Sequence, residues 1–583
     1  MHIRVARRGR NGPSFVLASL VAACASLATP NIVHAQFVPG ADAATAAREQ
    51  RRQEERINAI RQQQERGADV RRPAGPAADP TRLPEGESPC FPIERLTLKG
   101  DERGEFAWLA KAAAGPQGDD APQGRCLGGQ GINLVLKRLQ NALIARGYIT
   151  SRVAAEPQDL RTGELVLTLT PGRLQDIRLA PDSPPATSAT RLSAAIPGRT
   201  GDVLNLRDIE QGLENLKSVP TADADIKIVP AEQEGRSDLV VAYRQGSPLR
   251  GTVSVDDSGT KATGKYQGSV TAAYDNPAGL NDLLYASLNH DLGLRSGRGT
   301  KGGLVHYSVP FGYWNASATY DRAYYHQTIA GATQNYVYSG RNSNAEIKLS
   351  RVVRRDGNSK TVLAAGAFQR RANNYIDDTE VEVQRRRTGG WLATLNHRHF
   401  LGAATFDASL GYKRGTGAFG SITAPEEAFG EGSSHFEIVT ADIVFTTPFT
   451  LADKRFRYLI NLRGQQDQTR LAPPERFIIG GRYTVRGFDG EMILSAERGW
   501  FVRNDISTPI AAGMEAYLGL DHGLVSGPSA DLLIGRRLTG AVVGARGSFQ
   551  RLRYDVFVGA PLHKPAGFKT AGTTAGFSVS VGF

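Results

Sequence analysis

Through residues 251–583, apolar and polar side chains alternate one by one in short runs separated by Gly, Asn, Asp and Pro, and helical periodicity is absent. Tyr266, Gly268, Val270, Ala272 and Tyr274 share one face of an extended chain, and Lys265, Gln267, Ser269, Thr271 and Asp275 fall to the other. The pattern returns with Phe456, Tyr458, Ile460 and Leu462 against Arg455, Arg457, Asn461 and Arg463. It returns again with Ala575, Phe577, Val579, Val581 and Phe583 against Thr574, Ser578 and Ser580. About sixteen such strands are expected, in the range of closed transmembrane barrels. A β-sandwich would show the same alternation. Three features favour the barrel: strongly charged polar faces, strands of about ten residues, and aromatics near strand ends such as Tyr320, Tyr324 and Tyr325.

The first 35 residues read as an export signal, with Arg4, Arg7, Arg8 and Arg10, an apolar stretch over 15–28, and Val33-His34-Ala35 ahead of Gln36. An alternative takes Val21-Ala22-Ala23-Cys24 as a lipidation box, leaving Cys24 acylated. After the signal no apolar run of about 18 residues occurs, which excludes a helical membrane protein and leaves a soluble protein or a barrel. Cys90 and Cys126 are the two cysteines left, in a chain bound for an oxidising compartment, and a disulfide between them is expected. No His lies near either, so no metal is expected there. The formal charge of +12 suits several classes of acidic partner and by its sign alone selects none.

Residues 36–66 contain a run rich in Ala, Glu, Gln and Arg, a solvated helix with almost no apolar face, suited to a spacer or to the inside of a water-filled channel. Gly67, Pro73, Pro76, Pro80, Pro84 and Gly86 make 67–88 a linker. Two small α+β modules of β-α-β-β character are expected at 89–173 and 174–248. The first has a helix over 131–145, the second a helix over 208–216. The barrel then occupies 249–583.

The stretches 479–488 and 519–523, together with 89–93, 146–153, 275–282 and 307–314, resemble motifs of the TpsB transporters of two-partner secretion, in the superfamily of the bacterial outer-membrane insertase. Ile479-Gly480-Gly481-Arg482-Tyr483-Thr484-Val485-Arg486-Gly487-Phe488 looks like that superfamily's long-loop motif, with Phe488 where Tyr is also frequent. Gly519-Leu520-Asp521-His522-Gly523 resembles its companion strand motif. Asp275-Asn276-Pro277, Gly279-Leu280-Asn281-Asp282 and Tyr307-Ser308-Val309-Pro310-Phe311-Gly312-Tyr313-Trp314 are similar to TpsB barrels. Pro89-Cys90-Phe91-Pro92-Ile93 and Arg146-Gly147-Tyr148-Ile149-Thr150-Ser151-Arg152-Val153 look like a first POTRA module. The resemblance implies two periplasmic POTRA modules, a candidate pore-plugging helix, and a barrel that exports a TpsA-type exoprotein (adhesin, hemolysin or contact-dependent toxin). Membrane lipid and the outer-membrane insertion machinery are the other partners implied, with Phe583 as the C-terminal assembly signal.

Strand phase adds an independent expectation. Met514, Ala516, Leu518 and Leu520 form an apolar face, so Glu515, Tyr517, Gly519 and Asp521 turn to the lumen, and the same parity brings in Arg503 and Asp505. Arg486 on an incoming loop is expected to pair with Asp521 in a partly shielded lumen; otherwise it is an ordinary exposed loop arginine. Gly487, Gly480 and Gly481 favour close packing. Gly259-x-x-x-x-Gly264-Lys265 mimics a phosphate loop, but Tyr266 and an alternating strand follow it, and the match reads as chance. His397 and His399 on one strand face read as barrel wall. No enzyme activity, cofactor, metal or nucleic-acid partner is expected; a general insertase and a passive porin are the rival functions.

Overall fold

The computed structural model describes residues 41–65, 70–71, 81–184, 189–293, 297–331 and 333–583. The export signal and Cys24, and most of the linker, lie outside the described residues. In the first module the parallel pair Arg95–Lys99 and Glu164–Thr170 carries Arg152–Ala154 on its other edge, and helix Gly129–Ala145 covers one face. Ile93, Leu127, Val135, Leu139, Leu143, Leu165 and Leu167 fill the space between them. The Glu87 carboxylate accepts the N–H groups of Gly128, Gln130 and Gly131, which satisfies the open first turn of that helix. Cys90 and Cys126 are joined on the adjoining two-stranded ribbon Phe91–Ile93 and Arg125–Leu127.

The second module sets Arg173–Leu179, Arg236–Gln245 and Ala222–Pro230 in one sheet. It has two helices, Ala189–Ala195 and Leu206–Leu216. The first of these was not legible, because its short Ala/Ser-rich segment has no clear apolar period. Asn205 caps the second by accepting the Arg207 N–H.

This module is bolted to the barrel. Arg355 reaches Glu214 at 2.9 Å and Glu210 at 3.4 Å, Asn215 Nδ2 donates to the Gly312 carbonyl at 2.7 Å, and Thr221 donates to Asp275 from both its N–H and hydroxyl. Burial by itself would raise the Glu214 carboxyl, but the Arg355 hydrogen bond and the charges of Lys360 and Arg355 outweigh it and hold the group below the usual range.

Sixteen antiparallel strands, from Leu249–Asp256 through Thr574–Gly582, follow one another in order and close on themselves. The extra Thr379–Glu380 pairs only with the end of the strand Ser359–Ile376, at Tyr375 and Ile376. The closing seam is short, running from Ser578↔Asp256 to Gly582↔Thr252. Parity works as the alternation requires: Val270, Leu288 and Leu518 are exposed on the outside, while Thr271, Ser287 and Asp521 are buried inside. The expectation of ten-residue strands is corrected. Trp314–Ala330 and Asn335–Arg355 have 17 and 21 residues, longer than an apolar band of about 25 Å requires, so their far ends stand above it. The phosphate-loop mimic at residues 259–265 is the turn between the first two strands.

Helix α1, Ala41–Gln64, lies inside this barrel. It has little apolar surface, and its arginines bond the wall and the inward loop. Arg48 donates to the Glu491 carbonyl, Arg51 to that of Arg476 at 2.9 Å, and Arg52 to that of Gly490 at 3.3 Å. Glu54 pairs with Arg370 at 2.8 Å; Arg370 and Lys413 both reach Glu475 at 2.9 Å.

Candidate functional site

Between strands Lys454–Asp467 and Arg498–Ala511 the chain leaves the wall and turns into the lumen as a small ribbon, Phe477–Ile479 paired with Leu494–Ala496. An apolar plug inside a polar lumen holds it: Phe477, Ile479, Val485, Phe488 and Leu494 pack against the wall residues Phe501, Val525 and Leu538 and against Phe568. Phe488 meets Phe568 edge-on at 5.7 Å. Thr484 Oγ1 accepts the N–H groups of Gly480 and Gly481, which tightens the turn that presents Val485-Arg486-Gly487-Phe488.

Arg486 is 3% exposed, and it ends between two strand carboxylates that are also buried, Asp505 and Asp521. Its backbone N–H and Nε both donate to Asp521 Oδ2, at 2.9 and 2.7 Å. Nη2 donates to Asp521 Oδ1 at 2.7 Å and also to Asp505. The guanidinium thus forms a fork on one carboxylate and a single bond to the other, the planar geometry that arginine supplies and lysine does not. Arg503, opposite Asp521 in register, stands farther off at 3.8 Å.

Glycines let the loop approach the wall this closely. Gly487 has φ +92°, and a Cβ on it would come within 2.5 Å of the Ala560 carbonyl. A Cβ on Gly519 would lie 2.6 Å from Arg486 Nη2, and one on Gly523 would lie 2.8 Å from Val485.

Three contributors were missed by sequence reasoning. Gly540 sits across from Asp521, and a Cβ there would lie 1.9 Å from the Arg486 carbonyl. A Cβ on Gly559 would lie 3.0 Å from the Gly487 Cα. Arg546 reaches Asp505 at 3.4 Å and also pairs with Glu515, and both Arg546 and Arg486 stand over the Tyr517 ring. The signal for them was parity: Leu538, Gly540, Val542 and Arg546 share the lumenal phase with Asp521. His397 and His399 stack on each other at 6.0 Å, with His397 Nδ1 against Thr361 Oγ1 at 2.9 Å. Phe583 exchanges backbone hydrogen bonds with Gly251 at the seam, and its ring is largely exposed.

Comparison with known proteins fits this architecture. Residues 235–547 match the family model described as haemolysin secretion/activation protein ShlB/FhaC/HecB, 91–172 match a ShlB-type POTRA domain, and 173–230 match a POTRA domain. The outer membrane transporter CdiB-2 of Burkholderia pseudomallei is 37% identical over 98% of this chain and 99% of that protein. The hemolysin transporter ShlB of Serratia marcescens is 25% identical over 83% of this chain and 84% of its own length. The solved structure of CdiB from Acinetobacter baumannii superposes with a TM-score of 0.81 at 30% identity, covering 94% of this chain and all of that one.

Proposed function

The chain belongs to the ShlB/FhaC/HecB family of haemolysin secretion/activation proteins, and from that premise we propose how its lumen serves export. It is an outer-membrane transporter of two-partner secretion: its barrel crosses the membrane, its two POTRA modules stand in the periplasm, and it secretes a partner exoprotein.

The domain division proposed is signal 1–35, plug helix 36–66, linker 67–88, POTRA modules 89–173 and 174–248, and barrel 249–583. The observation that carries the mechanism is the burial of Arg486 between Asp505 and Asp521 on a loop that fills the lumen beside α1. In this reading the clamp fixes the loop against the strands Arg498–Ala511 and Met514–Ser526, while α1 occupies the remaining bore and must leave for a client to pass. The hydrogen bonds of α1 go largely to carbonyls and side chains that water or an extended polypeptide can satisfy equally well, so the exchange costs little desolvation. The POTRA sheets offer edges for an extended client segment. Transport rather than catalysis is the activity proposed, drawing on client folding outside the cell instead of nucleotide hydrolysis. Phe583, with its exposed ring at the seam, is proposed as the contact for the outer-membrane insertion machinery, and lipid as the surround of the outer wall.

Deleting the protein and comparing released with periplasmic proteins by mass spectrometry tests the reading. One large β-rich protein is expected to vanish from the medium and to return with the wild-type chain. An unchanged set of secreted proteins with altered uptake of small solutes would overturn it in favour of a porin, and loss of many barrel proteins from the membrane would favour an insertase.

A further inference from the structure

The outer wall of a membrane barrel meets hydrocarbon through most of its height, and exposed arginines there are costly unless something anionic receives them. On the early strands two adjacent outward rows break the apolar wall. Register aligns Gly268, His290, Lys301, Tyr324, Arg341 and Asn373 as one row. The next row, one step nearer the modules, carries Arg322, Ser343, Arg371 and Arg387 beyond Leu288 and Gly303. Lys301, Arg322, Arg341, Arg371 and Arg387 are all exposed, and the two rows hold no acidic side chain. Among the described residues no carboxylate forms an ion pair with Lys301, Arg322, Arg341 or Arg371. Their company is aromatic: Arg322 donates to the Tyr320 hydroxyl, Lys301 stands 5.2 Å from the Tyr324 ring, and Arg341 stands 5.4 Å from that of Tyr375.

The height of the cluster identifies the leaflet. Trp314 begins its strand at the module end, next to Gly312, whose N–H donates to the Ala194 carbonyl of the second module. Arg322 is eight residues farther along. At about 3.3 Å per residue and a tilt of about 40°, Arg322 lies about 20 Å above Trp314 and Tyr324 about 25 Å above it, the outer boundary of the apolar band, and the inclined row sets Lys301 and Arg341 about 3 Å to either side of Tyr324 in height. The cluster lines one part of a concavity of about 1370 Å³ that continues along the wall over Val253, Val270, Leu288 and Val305. Cations at the headgroup level over an apolar trough match one chemistry, a phosphorylated, multiply acylated glycolipid of the outer leaflet.

We propose that Lys301, Arg322, Arg341 and Arg371 bind the phosphates of a lipid A-type glycolipid on the outside of the barrel, with its acyl chains in the trough formed by Val253, Val270, Leu288 and Val305. The site is remote from the Arg486 clamp and independent of the export mechanism.

The test is native mass spectrometry of the full-length protein purified in detergent, titrated separately with bis-phosphorylated hexa-acyl lipid A, its monophosphoryl form and phosphatidylglycerol. A one-to-one complex with bis-phosphorylated lipid A is expected, weakened by the loss of one phosphate. R322Q/R341Q/R371Q should weaken it on the order of 100-fold, whereas R322K/R341K/R371K should stay within a few-fold of wild type. Heat-modifiable electrophoretic mobility reports folding of each variant. Should the triple glutamine variant not fold, R322Q, R341Q and R371Q are read singly, each expected about 5-fold weaker. Unchanged affinity in the folded glutamine variants overturns the proposal. So does equal binding of phosphatidylglycerol, which would mark a general anionic-lipid surface, or displacement by equimolar inorganic phosphate, which would mark a free-anion site.

Discussion

Replacing Arg486 with alanine tests the clamp most directly. The change removes three side-chain hydrogen bonds and leaves Asp505 and Asp521 facing each other with no cation between them. Removing one partner of a buried ion pair costs about 3–5 kcal/mol, because the abandoned charge stays desolvated. Here Arg546 at 3.4 Å from Asp505 and Arg503 at 3.8 Å from Asp521 recover part of that cost, so about 2–3 kcal/mol is a reasonable loss of loop docking. That corresponds to a shift of roughly 30- to 150-fold in the docked-to-undocked ratio. The wall itself is untouched, since its ladder of backbone hydrogen bonds does not involve the loop, and the barrel should still insert and shift on heating.

The assay compares partner protein in the medium with barrel in the membrane, for Arg486→Ala, Asp521→Ala and the pair together. Secretion should fall by at least about tenfold in each single variant. The double variant should lose much less than the sum, because both changes break one interaction. Arg486→Lys keeps the charge but not the fork and should fall between alanine and wild type. Wild-type secretion by folded Arg486→Ala, or strictly additive losses, would refute the reasoning.

Glu54→Gln removes the carboxylate that Arg370 holds on α1 and should release the helix more often, seen in planar bilayers as a larger open fraction of the pore; an unchanged conductance would mean that the latch lies elsewhere. Replacing Cys90 and Cys126 with alanine opens a loop of 36 residues and should cost the first module about 2–4 kcal/mol, read by denaturant unfolding of the membrane-embedded protein followed at Trp108, with a smaller loss on reducing the wild type only if the bond is shielded. The Glu214 carboxyl is held below its ordinary value, so its docking to Arg355 and Lys360 contributes fully above about pH 4.3 and is lost as pH falls through that value toward the lowered one. Hydrogen exchange in Leu206–Leu216 should accordingly rise on acidification below about pH 4, and Glu214→Gln should abolish that pH step.

The barrel was legible because a period of two leaves little freedom: once Leu518 and Leu520 face lipid, Asp521 and Tyr517 have nowhere to go but inward, and register delivers Arg503 and Asp505 to the same place. The polar helix α1 was legible as a helix, while its position was not, since a charged stripe satisfies water and a polar bore equally; only the carbonyls of Gly490, Glu491 and Arg476 distinguish them.

The glycines of the clamp were half legible. Gly487 and Gly519 stood inside motifs, whereas Gly540 and Gly559 stood in ordinary strands where glycine signifies many things. Parity held the missing information. A lumen filled by water asks for polar inward residues, and Leu538 and Val542 break that demand on the strand that also carries Gly540. An apolar inward face beside a residue without a side chain can be stable only if another apolar segment covers it, and the strand that covers Leu538 is the incoming ribbon with Ile479, Val485 and Phe488. The same logic, turned outward, makes Arg322, Arg341 and Arg371 informative. In both places the residue that violates the pattern for its surroundings shows that the surroundings are not bulk solvent or bulk lipid, and its chemistry names what replaces them.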